Sequence, residues 1–506
     1  MKVLVFHGYL LRGTGSNVYN AALGEALARA GHEVHLLCQD RDPLALPWVD
    51  AAGDWDGGAL ELRVRRDPPR ATVYRPDLGG LLPVYVADRY EGIEARPFQD
   101  LSDEEVARYV ERNVAAVREV VARARPDVAL ANHLVMGPLV LARALDGAVP
   151  YAVKVHGSAL EYTVKPHPRF LPAAEEGIAP ARGVLVGSRH TAESLWAALG
   201  DPGLPARTRL GPPGVDVARF APRGPAAAAT GLAGLADRLA ATAPAAASGS
   251  SFDRDPAEAA EALRALDPAR DRIVAYVGKL IASKGVELLL AAFPLVLARA
   301  PEARLLVVGF GGFRAGLEAL AAALARGDLA AARGVRGEDG QALPHLAAFL
   351  DAVGGDAYAA LAAATTGRVH WAGRLEHEEL ADVLPATEAF AMPSTFPEAF
   401  GMVAAEAAAC GVLPVVAGHS GMAEVARSLA QAVDPEVAPW LTFSVGPGAV
   451  EELADGLASW LGAAPDVRAR TRAAIVGVAR ERYSWDGVAR TVVAAARGEL
   501  DGLPEP

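Results

Sequence analysis

Residues Pro393-Ser394-Thr395-Phe396-Pro397-Glu398-Ala399-Phe400-Gly401-Met402-Val403-Ala404-Ala405-Glu406 decide how this chain is read. Their order is that of a strand end, a Pro-broken loop with one carboxylate, and a helix with a second carboxylate eight positions on. A helix opening directly after a tight loop aims unpaired backbone N–H groups at whatever lies before it, and a diphosphate suits such a place. Glu398 falls in the loop and Glu406 more than a turn inside the helix, so the two face different parts of one ligand. A carboxylate only accepts hydrogen bonds, which fits each to hydroxyls of a sugar or a ribose. The competing interpretation is an ordinary surface turn before an Ala-rich helix.

Outward from this stretch, short apolar runs alternate with helical patterns. Val3–Phe6, Val34–Leu37, Val128–Ala131, Tyr151–Val155 and Gly183–Val186 read as buried strands, with a first helix over Ser16–Ala30 and Gly31 at its C-cap. The rhythm restarts with strands at Ile273–Val277, Ala303–Val308, Arg368–Trp371, Ala389–Met392 and Leu413–Val416, and a helix over Val286–Arg299 despite Pro294. Such alternation predicts two α/β units in succession, each a parallel sheet covered on both faces, with a cleft between them. The expected division is residues 1–215 for the first domain, 216–270 for an Ala/Gly/Pro/Ser-rich linker or insertion, and 271–484 for the second domain. A helical insertion over about 313–366 decorates the second domain, and a final helix, 485–506, crosses back to the first.

Composition narrows the function. The chain has 506 residues and a net charge of −12, which disfavours a protein that tracks nucleic-acid phosphates. Most of the negative charge lies beyond about residue 215. Arg63, Arg65, Arg66, Arg70 and Arg75 form a local basic run, read as a solvated loop or as a docking place for an anionic acceptor or a membrane surface. The two cysteines, Cys38 and Cys410, have no metal-ligand spacing and fit a reducing cytoplasm. The N-terminal apolar run is too short for a signal peptide, and no stretch is long and apolar enough for a transmembrane segment. A cytoplasmic protein with at most peripheral membrane contact is expected.

Three further constellations carry chemistry. Gly278-Lys279-Leu280-Ile281-Ala282-Ser283-Lys284-Gly285 follows a strand, and two lysines there suit a diphosphate leaving group whose charge rises as its bond to carbon breaks. Two solvated surface lysines are the bland alternative. Gly13-Thr14-Gly15 lies between the first strand and first helix, where a backbone must approach a ligand closely or simply turn with positive φ. Asn17 and Val18 stand where a dinucleotide fingerprint has its third glycine, so that motif is incomplete. His156 ends the strand Tyr151–Val155, and His133 occupies a similar strand end. Neither belongs to a metal triad, and Asp54-Trp55-Asp56 reads as an acidic turn without strand context, so no metal site is expected.

As an ordered set these pieces resemble the retaining family 4 glycosyltransferases, which have the GT-B fold of two Rossmann-like, doubly wound α/β domains. Gly278-Lys279-Leu280 with Lys284-Gly285, Val308-Gly309-Phe310-Gly311, Gly373-Arg374-Leu375, and Pro393-Ser394 leading to Glu398 and Glu406 carry the resemblance. So do Gly31-His32-Glu33-Val34, His156-Gly157, Gly187-Ser188 and Pro213-Gly214-Val215-Asp216 with Phe220. It implies that Lys279, at the family's usual arginine position, and Lys284 hold the donor diphosphate, and that Glu398 contacts the donor sugar. It implies that Phe400, Gly401, Met402 and Val403 offer backbone N–H groups, that Glu406 binds the ribose, and that backbone near Arg374 borders the base. Gly15 would admit the first domain's loop to the phosphates, and His156 would sit beside the reacting sugar. Glu398, His156 and Lys284 are thus the expected catalytic group.

The implied activity is transfer of a hexose from a nucleotide diphosphate sugar to a hydroxyl acceptor, with retention and without a metal or other cofactor. UDP is the first expectation for the nucleotide and GDP the next. A nucleotide-sugar epimerase on the same fold and a non-catalytic nucleotide-sugar-binding protein are the alternatives.

Overall fold

The computed structural model describes residues 1–12, 15–56, 58–85, 94–242 and 254–506. They form two compact units, Met1–Gly214 with Tyr483–Pro506, and Val215–Arg482.

The first unit contains β1 (Lys2–Phe6), β2 (Glu33–Leu37), β3 (Ala51–Asp56), β4 (Ala59–Val64), β5 (Ala71–Arg75), β6 (Leu81–Val84), β7 (Glu94–Pro97), β8 (Val128–Asn132), β9 (Tyr151–Val155), β10 (Gly183–Val186) and β11 (Thr208–Leu210). Nine of these make one sheet, in the order β11-β10-β9-β8-β1-β2-β5-β3-β4, and β6 pairs with β7. Pairing in the large sheet is parallel except between β3 and β4. Successive residues of β1 serve opposite cores, as the period of a strand requires. Val3 and Val5 pack with Leu23, Leu27 and the Trp485–Arg497 helix, while Leu4 and Phe6 pack with Val114, Val117 and Leu139. Each fully buried Val or Leu contributes about 1.5–3 kcal/mol, which explains why both faces of β1 read as continuous apolar sequence. Gly214 lies against Trp485, where an added Cβ would come within 2.4 Å of the indole.

The second unit contains β12 (Arg272–Val277), β13 (Ala303–Val308), β14 (Val369–Gly373), β15 (Ala389–Met392), β16 (Leu413–Ala417) and β17 (Thr442–Phe443). All pair in parallel, in the order β14-β13-β12-β15-β16-β17. Strand order reverses between β12 and β15, and the carboxyl ends of strands at such a switch leave room for a ligand.

Some expectations need correction. Asp54 and Trp55 lie within β3 and not in an acidic turn; of the basic run, Arg63 lies in β4 and Arg75 in β5, while Arg65, Arg66 and Arg70 lie in the exposed connection between those strands. Four of the five arginines bond within the unit: Arg63 and Arg75 pair with Asp54, Arg66 pairs with Asp50, and Arg65 donates to the carbonyls of Leu44, Leu46, Pro47 and Val49. The stretch 216–270 is counted with the second unit and carries two helices, Pro225–Ala240 and Pro256–Arg264. Their Ala/Leu faces bury Leu232, Leu235, Leu239, Ala259 and Leu263, and Arg223 and Arg254 pair with Asp382 and Glu379. Composition left a linker and a loosely packed helical insertion open, and the two helices bear out the helical alternative. Residues 243–253, including the Ala/Ser run from Ala245, and Gly13-Thr14 lie outside the described residues. The 313–366 stretch is helical, over Arg314–Ala325, Leu329–Gly334, Pro344–Ala352 and Gly355–Ala363.

Candidate functional site

The loop leaving β12 is locked to the loops leaving β13 and β15. Leu280 donates its N–H to the Phe310 carbonyl at 2.7 Å, and Phe313 donates to the Leu280 carbonyl at 3.0 Å. The Thr395 N–H donates to the Ser283 carbonyl at 3.0 Å, and Ser394 Oγ lies 3.0 Å from the same oxygen. Glycine is required at Gly285, whose φ is +66° and whose Cβ would meet the Pro393 carbonyl oxygen at 1.9 Å. The loop ends in the short turn Ala282–Lys284, and the buried helix Val286–Arg299 follows.

This locking delivers Lys284 to Glu398. The Lys284 ammonium donates to Glu398 Oε1, which also accepts from Ser394 Oγ at 2.8 Å. The backbone of Glu398 is held too: its N–H donates to Ser420 Oγ at 2.9 Å, and its carbonyl accepts from the Gly421 N–H at 2.9 Å. Gly421 packs so closely that a Cβ would lie 2.5 Å from backbone atoms of Phe400. Lys284 thus meets in space an acidic partner 114 positions away in sequence. Lys279 differs: it is exposed, and its side chain has no ion-pair partner among the described residues. Its carbonyl accepts from the buried Tyr276 hydroxyl at 2.8 Å.

The helix Met402–Ala409 starts at Gly401, with no side chain capping it. Its first amides therefore have no intrahelical acceptor, and the positive end of the helix points along the loop that carries Glu398. Phe400, Met402 and Val403 are half-buried and Gly401 is buried. Glu406 is 1% exposed; its Oε1 accepts from His377 Nε2 at 2.7 Å, and its Oε2 has no hydrogen-bond partner among the described residues. The hydrogen bond from His377 to Glu406 raises the histidine's pKa against the opposing effect of burial. Arg374, just beyond β14, pairs with Glu376 at 3.0 Å and lies 5.9 Å from the Phe310 ring centre.

In the first unit the carboxyl ends of β1, β8 and β9 present His7, Asn132, His133 and His156. His156 Nε2 bonds Asn132 Oδ1 at 2.8 Å, and its ring lies 4.9 Å from Tyr19, edge to face. Burial, reinforced by His133, Lys154 and His7, holds the His156 pKa well below the ordinary histidine range. Burial also lowers His7 to about 4, opposed by hydrogen bonding from Asn17. His133 has φ +67° and neither ring nitrogen bonded. Gly15 opens the helix Gly15–Arg29, is exposed, has no positive φ, and would have no atom within 4 Å of an added Cβ. Its neighbours in the chain thus do not demand glycine.

The second unit gathers Lys284 and Glu398 into one contact and carries Lys279, Arg374, Phe400–Val403 and Glu406 on the adjoining strand ends and helix start; Gly15 and His156 belong to the first unit. Sequence reasoning passed over Ser394, Ser420, His377 and Asn132. Ser394 stood within the quoted stretch as a second polar group four positions before Glu398, which is the one signal available; the others gave none. Among the described residues there is no group of three or more His, Cys, Asp or Glu arranged for a metal ion.

Residues 13–219 match the Glycosyltransferase Family 4 description and residues 356–475 match Glycosyl transferases group 1, together more than half of the chain. The chain belongs to the family 4 glycosyltransferases, and its α/β fold is of the GT-B type. A D-inositol 3-phosphate glycosyltransferase of Segniliparus rotundus is 32% identical over 245 residues, 48% of this chain and 43% of that protein. A GDP-mannose-dependent monoacylated alpha-(1-6)-phosphatidylinositol monomannoside mannosyltransferase of Corynebacterium glutamicum is 29% identical over 155 residues, 29% of this chain and 30% of that protein. The chain thus spans less than half the length of these curated relatives. In fold it is similar to sucrose-phosphate synthase from Thermosynechococcus elongatus (TM-score 0.55, 19% identity, 99% of both chains). Anabaena HepE, crystallised with UDP and glucose, is also similar (TM-score 0.54, 16% identity, 99% of this chain and 100% of that one).

Proposed function

We propose that this protein transfers a hexose from a nucleotide diphosphate sugar to a hydroxyl acceptor, with retention of configuration and without a metal. The observation that carries the reading is the junction of Lys284 with Glu398 directly before the uncapped start of the Met402–Ala409 helix. Positive charge and free amides meet a carboxylate there, as a donor with a diphosphate at one end and hydroxyls at the other demands. Glu406 Oε2, buried without a partner, is a further acceptor suited to a ribose hydroxyl.

In the reaction the bond between the sugar carbon and the diphosphate oxygen breaks, and the acceptor oxygen bonds to that carbon on the same face. The acceptor's proton passes to the departing diphosphate. Lys279, Lys284 and the helix start hold the charge that develops on that leaving group, the role a metal plays elsewhere. UDP is the preferred nucleotide, supported by the bound UDP of Anabaena HepE, and GDP is next, supported by the GDP-mannose-dependent relative.

The test is nucleotide release from UDP-glucose and GDP-mannose, with and without a panel of hydroxyl acceptors and with excess chelator, followed by product anomer assignment by NMR. Acceptor-dependent release that survives chelation and gives a retained anomer supports the proposal. Sugar isomerisation without an acceptor would instead support an epimerase.

A further inference from the structure

We infer that Asn132 is a positioning residue: its carboxamide holds His156 as the Nε2–H tautomer, so that the ring offers Nδ1 to substrate as a hydrogen-bond acceptor. The inference rests on the reading of His156 as a sugar-facing residue, but the tautomer itself follows from contacts within the first unit.

The orientation of Asn132 is fixed by its neighbours. Its Nδ2 lies 3.2 Å from the Phe6 carbonyl, which can only accept, so that end of the amide must be the NH2. Oδ1 then faces His156 Nε2 at 2.8 Å, and that nitrogen must carry the hydrogen. Asn20 Nδ2 lies 3.2 Å from the same oxygen, but its two hydrogens are directed to the Ser16 carbonyl at 2.9 Å and His7 Nδ1 at 3.0 Å. Turning Asn132 over would crowd its NH2 against that of Asn20 and set its oxygen against the Phe6 carbonyl.

The chain continues consistently to His7. Asn17 donates to the Arg12 carbonyl at 2.8 Å, so its Oδ1 accepts from His7 Nε2 at 3.0 Å, and His7 Nδ1 accepts from Asn20 Nδ2 at 3.0 Å. Two histidines are thereby set in the same tautomer by three asparagines, with no carboxylate among them. His156 Nδ1 has no hydrogen-bond partner among the described residues. Contacts with Tyr19 and His133, each 4.9 Å away between ring centres, restrain the ring. The titratable groups facing it are Tyr19, His133, Lys154 and His7, none of them an anion that would favour imidazolium. A neutral ring with Nε2–H already committed accepts from a sugar hydroxyl and does not donate to a leaving group.

The experiment is long-range 1H–15N correlation on the full-length protein labelled at histidine, with the His156 signals assigned from His156→Gln. The expected spectrum near pH 7 shows one tautomer, protonated at Nε2 and unprotonated at Nδ1. In Asn132→Leu the signals should move toward a tautomer mixture, kcat should fall by about fivefold to tenfold, and nucleoside diphosphate affinity should stay unchanged. Protonation at Nδ1, a mixture or an imidazolium in the unaltered protein would overturn the inference. The unaltered protein decides the tautomer even where the variant fails to fold. Full transfer by His156→Gln would overturn the substrate contact, whereas failure to bind any nucleotide would count against the transferase reading and leave the tautomer standing.

Discussion

Lys284 and Glu398, separated by 114 residues, form an ion pair that ties the loop after β12 to the loop after β15. The pair is three-quarters or more buried on both sides, with side-chain exposures of 25% and 19%. On the proposed reading, one cation is shared between the carboxylate assigned to the sugar and the place assigned to the diphosphate. On that same reading the pair would orient Lys284 before a donor arrives, and its charge would then serve the leaving group as the sugar bond breaks.

Glu398→Gln removes the competing anion and leaves Lys284 free for phosphate. Transfer should fall by about 10²–10³-fold, while affinity for the nucleoside diphosphate stays equal or rises. Steady-state kinetics beside nucleotide titration checks both halves. Full transfer in the variant would remove Glu398 from its role.

Gly285→Ala and Gly15→Ala should behave as opposites. The first places a methyl group 1.9 Å from the Pro393 carbonyl at a φ of +66° and should cost about 3 kcal/mol or more. The second meets nothing within 4 Å and should leave the melting temperature level or slightly higher. If Gly15 admits a ligand, its variant loses transfer without losing stability, which thermal unfolding and kinetics together will show.

His377 gains its raised pKa chiefly from its hydrogen bond to Glu406. A group whose folded pKa is raised contributes stability that is full below its unfolded value of about 6.5 and is lost as pH rises through the folded value. His377→Gln should therefore lower the melting temperature clearly at about pH 5.5 and much less at about pH 8.5. A constant difference across that range would show that the charge contributes nothing.

Glu287, 3% exposed in the first turn of the helix Val286–Arg299, has one carboxyl oxygen without a partner, and burial raises its pKa to about 8. Glu338, across the loop, adds to the rise. Between its unfolded value near 4.3 and the folded value, the folded state holds the extra proton, so stability falls as pH climbs. Glu287→Gln should flatten that fall, and the gain over the unaltered protein should be largest above about pH 8. Denaturant unfolding at a series of pH values measures it.

The sequence carried β1, β12 and the Val286–Arg299 helix because both of their faces are buried and apolar runs are continuous. It hid β3, β4 and β5 because their arginines and aspartates look solvated, and the pairings of Asp50 and Asp54 with residues nine to 21 positions away are not written in any local pattern. For the helices flanking residues 243–253, small residues left a linker and a helical insertion equally open. At the site, Glu398, Glu406 and Lys284 stood in recognisable loops, but nothing local said that Lys284 and Glu398 touch. His377 and Asn132 are ordinary residues in ordinary surroundings until the fold sets them beside Glu406 and His156.

The most direct test is calorimetric titration of the full-length protein with UDP, GDP and ADP, repeated on Lys284→Ala. The account predicts saturable binding of one nucleotide, UDP before GDP, lost or greatly weakened in the variant. No binding by any of the three, or equal binding by the variant, would contradict the assignment of the β12 and β15 loops as a nucleotide-sugar site.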